Sequence, residues 1–254
     1  MPSEKSISFR DRELSGSRLR CLILTSLPKR QVAECLSELI SPWGEVDATR
    51  HVWFPKGLRA PDEIQLTYSN GLIEEALGSS LSKWWLEVAT RANTPNWDLA
   101  STCTIGDKEG ILLVEAKAHS DELSEDGKGP PKTPNGHRNH IRIGDAIGEA
   151  CEGLNAISGG WALSRDSHYQ LCNRFAWSWR LAVEGVPVVL VYLGFLGADE
   201  MRRPWHDARA WRTEVLDYSR GIVPEDAWEN QINVGTSSIV PLIRSVDFAA
   251  SVFA

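Results

Sequence analysis

Two unbroken apolar runs constrain this chain more than any other feature: Ile111-Leu-Leu-Val114 and Val186-Pro-Val-Val-Leu-Val-Tyr-Leu-Gly194. A half-exposed strand alternates apolar and polar side chains, whereas a continuous apolar run belongs to a strand covered on both faces. Strands of that kind pair in parallel, and parallel pairing needs a long crossover, usually helical. The intervening sequence supplies one. Ile141, Ala146, Ile147, Ala150 and Leu154 mark a helix over residues 141–157, and Gly159-Gly160 breaks it. A second helical stretch spans about residues 167–184 and leads through Gly185 into the second run. The fold class expected is therefore α/β.

The first run ends in Glu115-Ala-Lys117 and is preceded by Pro95-Asn-Trp-Asp98-Leu-Ala-Ser-Thr-Cys103 and a polar turn over residues 104–110. This predicts two short strands joined as a hairpin. Side chains alternate along a strand, so Glu115 and Lys117 share one face and Ala116 takes the other. An antiparallel partner carrying Asp98 brings a second carboxylate to that face. Two acids and a lysine converging at a sheet edge, on the rim of a cleft, suit a hard cation, which prefers oxygen ligands. A solvated strand can also carry Glu-X-Lys as a surface ion pair, but the buried run in front of it argues for a cleft.

Asp98, the gap and Glu115-X-Lys117 resemble the signature of the PD-(D/E)XK phosphodiesterases, the restriction-endonuclease-like superfamily. Asn96-Trp97-Asp98 stands where the family has Pro-Asp, with the proline moved back to Pro95. The resemblance covers roughly residues 70–195 and implies a core of helix, catalytic antiparallel hairpin, helix and parallel strand. It implies that Asp98, Glu115 and the Ala116 backbone carbonyl, left free by an edge strand, bind Mg²⁺, with Mn²⁺ as the alternative. Lys117 is implied as the catalytic lysine. Gln170 is similar to a glutamine that helps organise the site in several branches, and with Asn173 and Arg174 it occupies one helical turn; Gln170 and Arg174 are the implied substrate-binding pair. The helix before the hairpin often lends an acid, for which Glu74 and Glu75 are the candidates.

Helical spacing of Leu72, Ile73, Ala76, Leu77, Leu81, Trp84, Trp85 and Val88 places that helix over residues 71–91, with Asn70 as its N-cap. The two adjacent tryptophans should not both face inward. Residues 1–17 are read as a mobile tail and 18–69 as an N-terminal αβ extension. In that extension, residues 22–25, 51–54 and 63–68 are strands and 29–40 a helix. Residues 70–254 form the nuclease-like core with a C-terminal helical segment that includes 208–219. The stretch 120–137, rich in Pro, Gly and charge, reads as a mobile loop behind the catalytic strand. His119 lies on the Glu115 and Lys117 face if the strand continues.

The net charge of −7 does not advertise a nucleic-acid binder. If one exists here, cations such as Lys83, Arg138, Arg142 and Arg174 should gather along a cleft. The 11 tryptophans could stack on bases or fill a core. Five dispersed cysteines without a C-x-x-C pair argue for reduced thiols and a cytoplasmic location. No apolar stretch reaches the length of a membrane span. No phosphate-loop, dinucleotide or nucleophile-elbow motif occurs. The function expected is Mg²⁺-dependent hydrolysis of nucleic acid, DNA rather than RNA, by an endonuclease of defence, restriction or repair. The alternative is a catalytically inactive module of the same fold acting in a protein or nucleic-acid assembly. A homodimer, or a partner in a defence or repair complex, is compatible with either.

Overall fold

In the computed structural model, which describes residues 15–68 and 70–247, a mixed seven-stranded sheet separates two helical layers. Helices α1 (Gly16–Ser26) and α2 (Lys29–Ile40) precede the short strands β1 (Gly44–Glu45) and β2 (Trp53–Phe54). Helix α3 (Glu75–Trp85) leads to the hairpin β3 (Leu99–Ile105) and β4 (Lys108–Lys117). Helices α4 (Pro134–Ile157) and α5 (Tyr169–Val183) cross over to β5 (Val188–Leu196). Then follow α6 (Ala208–Ser219), β6 (Ile232–Val234) and β7 (Ser237–Asp247). Strand order is β1-β3-β4-β5-β7-β6, with β2 also on β3. The β4, β5 and β7 strands run parallel, and the others join antiparallel.

The apolar runs form the parallel centre, as their composition requires. Alternation sorts their side chains into two cores. Ile111, Leu113, Leu190 and Ile239 pack under α3, α4 and α5, while Leu112, Val114, Val191 and Leu242 pack under α1 and α2. Glu115 and Lys117 continue the first row, and Ala116 continues the second.

Several sequence expectations change. Residues 22–25 lie in the last turn of α1 rather than in a strand. Cys21 and Leu24 pack against the Leu112 and Val114 face, and a short apolar run does not distinguish a buried helix from a buried strand. Residues 1–14 of the expected tail lie outside the described residues, and α1 already begins at Gly16. Residues 63–68 contribute only an isolated bridge between Ile64 and Trp97. Of the helix over 71–91 only Glu75–Trp85 is helical; Asn70 instead accepts the Leu72 N–H at 2.9 Å. Trp84 and Trp85 are both buried, because α3 packs against α4, where Trp84 Nε1 donates to Glu149 at 2.9 Å, and both rings also meet Trp177 of α5. Every tryptophan except Trp43 is buried, so the set is core filler. The C-terminal segment is not only helical. It contributes β7, a central strand that its serines and Pro241 disguised.

The stretch over 120–137 is tied down rather than loose. Thr133 caps α4 by accepting the Gly136 N–H at 3.0 Å, and Pro134 takes the first helical position. Lys128 N–H donates to the Arg165 carbonyl at 2.8 Å, and His168 and Tyr169 N–H donate to the Glu125 and Asp126 carbonyls. Gly127 permits this approach, since a Cβ there would lie 2.4 Å from the Asp166 carbonyl oxygen.

Gly194 of β5 stands in register with Lys117 and lets the buried Trp211 of α6 descend onto the sheet: an added Cβ would meet its ring at 2.6 Å. Gly194→Ala should therefore cost about 1–3 kcal/mol through overpacking, outweighing the ~0.4–1 kcal/mol gained from a stiffer unfolded chain. An unchanged urea midpoint would show that Trp211 moves aside freely.

Candidate active site

The site forms where β3 and β4 part. Pairing along the hairpin runs from Ile105↔Lys108 to Leu99↔Val114 and stops there. Two residues earlier the chain has peeled away: Trp97 exchanges backbone hydrogen bonds with Ile64. The Ala116 N–H is thereby left without a strand partner, and the Asp98 carboxylate accepts it at 2.8 Å. The N–H and C=O of one strand residue point to the same side, so the Ala116 carbonyl also faces the gap. The strand β4 is not an edge, since β5 flanks it; the gap arises because β3 begins late.

Glu115 and Lys117 project toward α5. Lys117 Nζ donates to Glu115 Oε1 at 2.5 Å and to Gln170 Oε1 at 2.9 Å. Arg174 Nε donates to Glu115 Oε2 at 2.5 Å, and its other nitrogens donate to Asn173 Oδ1 and the Asn96 carbonyl. The guanidinium lies 4.4 Å from the centre of the Trp97 ring. Glu115, Lys117, Gln170 and Arg174 thus form one hydrogen-bonded cluster with Asp98 beside it on the Ala116 N–H, and the cluster is not on a rim. Glu115 is 0% exposed and Lys117 6%. Truncating Glu115 would leave two buried cations uncompensated, at a cost of about 3–5 kcal/mol. Arg174 serves Glu115 as counter-ion in addition to reaching the cleft.

Beside this cluster opens a cleft of about 410 Å³ lined by Asp98, Asn96, Lys128, Gln170, Asn173 and Arg174, among others. Lys83, Arg138 and Arg142 do not line it. Arg138 lies instead on exposed surface, paired with Glu87 at 2.9 Å. Glu74 lines a different cavity, near Glu109 and Gly110 at the start of β4, some 16 Å of strand from Glu115, and Glu75 is exposed beside it. The helix before the hairpin therefore lends no acid. The strand ends before His119, whose ring stands 3.9–4.0 Å from the Asp121 and Glu122 carboxylates. Sequence reasoning missed Glu122, which accepts the Ala118 N–H at 2.5 Å and the Ser17 hydroxyl, and it missed Lys128. The four-residue spacing from Gln170 to Arg174 did signal a shared helix face.

The electrostatics separate the two acids. Burial opposes charge on Glu115, but Arg174 and Lys117 prevail and hold its carboxyl below the usual range. Burial opposes charge on Lys117 as well, and Glu115 and Asp98 more than compensate, raising it. Asp98 is the unsatisfied member: burial, and then the Glu115 charge, push it up to about 7 despite Lys117, the Ala116 N–H and Arg174. The two neighbouring acids are thus driven apart, one held ionised and the other favouring its proton.

Among the described residues no group of three or more His, Cys, Asp or Glu side chains is assembled to hold a metal. The donor set is two carboxylates and a carbonyl, all hard oxygens. Such a set fits Mg²⁺, which keeps several waters and needs only one or two protein carboxylates. Glu115 can join only if one of its cations yields. No helix of the described residues is long and apolar enough to cross a membrane. The sequence matches no protein-family model, and neither the search of curated proteins nor that of solved structures returns a match.

The raised Asp98 acid has a sign-definite consequence. The folded state binds its proton up to about pH 7, the unfolded state only to its ordinary value near 3.8, so stability falls as pH rises between them. Asp98→Asn keeps an acceptor for Ala116 and removes the charge. It should stabilise the protein at pH 8, by on the order of 3 kcal/mol at most because cleft water tempers the effect, and change little at pH 4. Equal melting temperatures for variant and wild type at pH 8 would contradict the charge frustration.

Proposed function

We propose that the chain is a metal-dependent phosphodiesterase with a restriction-endonuclease-like core, hydrolysing nucleic acid and DNA by preference. The observation that carries this reading is the convergence of Asp98, Glu115, Lys117 and Gln170 where β3 leaves β4. Asp98, the Ala116 carbonyl and Glu115 are the groups that would hold Mg²⁺, or equally Mn²⁺. The bound ion supplies Lewis-acid charge and a water of lowered pKa. Lys117 keeps a further N–H for the attacking water or a phosphoryl oxygen and offers a compact positive charge to the developing anion. Gln170 fixes the direction of that ammonium. Arg174 holds Glu115 ionised, and Asn96 and Asn173 hold Arg174.

One observation favours a second reading, an inactive module of the same fold. Both Glu115 oxygens are engaged by cations and the side chain is sealed. In that case the cluster is a structural ion triad and the cleft a binding surface.

Plasmid and oligonucleotide cleavage with Mg²⁺ separates the two. Lys117→Ala should lower the rate by at least ~10²-fold, the scale of removing one transition-state donor. Gln170→Ala should cost about tenfold, as for a group that only orients another. Absence of Mg²⁺- or Mn²⁺-dependent cleavage by the wild type, or full activity in Lys117→Ala, would remove the catalytic reading.

A further inference from the structure

The cleft beside Asp98 has two cationic residues in its wall, Arg174 and Lys128. Arg174 is fully engaged by Glu115, Asn173 and Asn96. Among the described residues no carboxylate lies within salt-bridge distance of Lys128, and none of them receives a hydrogen bond from its ammonium. It stands 4.7 Å from the centre of the Tyr169 ring. Such a contact contributes about 0.5–2 kcal/mol, but it faces only one side of the ammonium. A lysine on a loop ordinarily extends into water. This one is held back by its backbone. Its own N–H is bonded to the Arg165 carbonyl, and the Asp126↔Ser167 bridge and the Gly127 approach fix the residues before it. Burial accordingly lowers the Lys128 pKa. Asn173 adds a polar group to the same wall: its Oδ1 accepts from Arg174, which leaves its amide nitrogen free to donate.

A partly desolvated, unpaired ammonium on a fixed segment is costly unless an anion completes it. The carboxylates of the cleft do not do so. Asp98 accepts from Ala116, and Glu63 accepts from Asn96 at 3.1 Å and lies 4.0 Å from Arg18. We propose that Lys128, aided by the Asn173 amide, is a phosphate anchor of this cleft that grips a backbone phosphate of the bound nucleic-acid strand. The inference rests on the proposed function for its occupant and goes beyond it in naming the residue. The residue lies outside the Asp98–Glu115–Lys117 cluster and has no part in the chemical step. As an anchor, Lys128, the residue of the 120–133 segment that lines the cleft, is a preformed contact.

The test is the salt dependence of oligonucleotide binding in Ca²⁺, for wild type, Lys128→Ala and Lys128→Arg, with single-stranded and duplex DNA of the same sequence. Each phosphate contact releases counterions, so Lys128→Ala should flatten log K against log salt by about 0.7 for single strands or 0.9 for duplex. The loss should be the same for any sequence, and Lys128→Arg should restore most of the slope. Wild-type binding with an unchanged slope in Lys128→Ala overturns the anchor and leaves the nuclease reading standing. If wild type binds neither oligonucleotide, inorganic phosphate is titrated against the ¹³C-dimethyl resonance of Lys128, assigned by its loss in Lys128→Arg. A moving resonance then overturns the nucleic-acid occupant, and the nuclease reading with it. A stationary one overturns the anion subsite as well.

Discussion

The ion triad of Lys117, Glu115 and Arg174 is the interaction on which the rest of the site depends. It joins the end of β4 to the face of α5, and through Arg174 it reaches the Asn96 carbonyl just before β3. Three elements distant in sequence are thereby locked in one register at the point where the sheet opens. The triad is also expensive. Desolvating three charges is repaid only when each is well paired, and here every oxygen of Glu115 has a cationic donor at 2.5 Å. A core built for stability alone would do better with apolar residues of similar volume.

The central sheet was legible because its signal is local and physical: uninterrupted branched residues require cover on both faces, and β4 and β5 received it. The hairpin was legible from its bounding glycines and α6 from apolar residues at helical spacing. What escaped the sequence escaped through tertiary override. Residues 22–25 are apolar enough for a strand, but Leu24 and the preceding Cys21 reach the sheet face together only at helical spacing. Thr133-Pro134 looked like the end of a breaker-rich stretch and was in fact a capped helix start. Strand β7 hid behind Ser237, Ser238 and Pro241, residues that propensity places in loops.

The candidate site divides in the same way. Asp98, Glu115 and Lys117 could be placed on one face from alternation along a strand, and Gln170 could be named through the family resemblance. Their burial could not be foreseen, because it depends on how closely α5 approaches β4, and nothing in the local sequence encodes that distance. Nor could Lys128, whose placement follows from backbone bonds between segments some forty residues apart, Lys128 to Arg165. The helix-borne acids Glu74 and Glu75 failed as ligands for a geometric reason: α3 meets β4 at its start and the site lies at its end.

The split between the acids then fixes where the account is most exposed. Glu115 has its charge fully compensated, while Asp98 is left with a carboxyl raised to about 7 and one oxygen turned to the cleft. Such a group gains most from a cation, and a cation that binds it must displace its proton. The direct measurement is Mn²⁺ binding followed by electron paramagnetic resonance at pH 6 and pH 8, in wild type and Asp98→Asn. The account requires one ion per wild-type chain, bound more tightly at pH 8, with affinity reduced by roughly tenfold or more in the variant. Equal binding by the two proteins, or no binding by either, would contradict it.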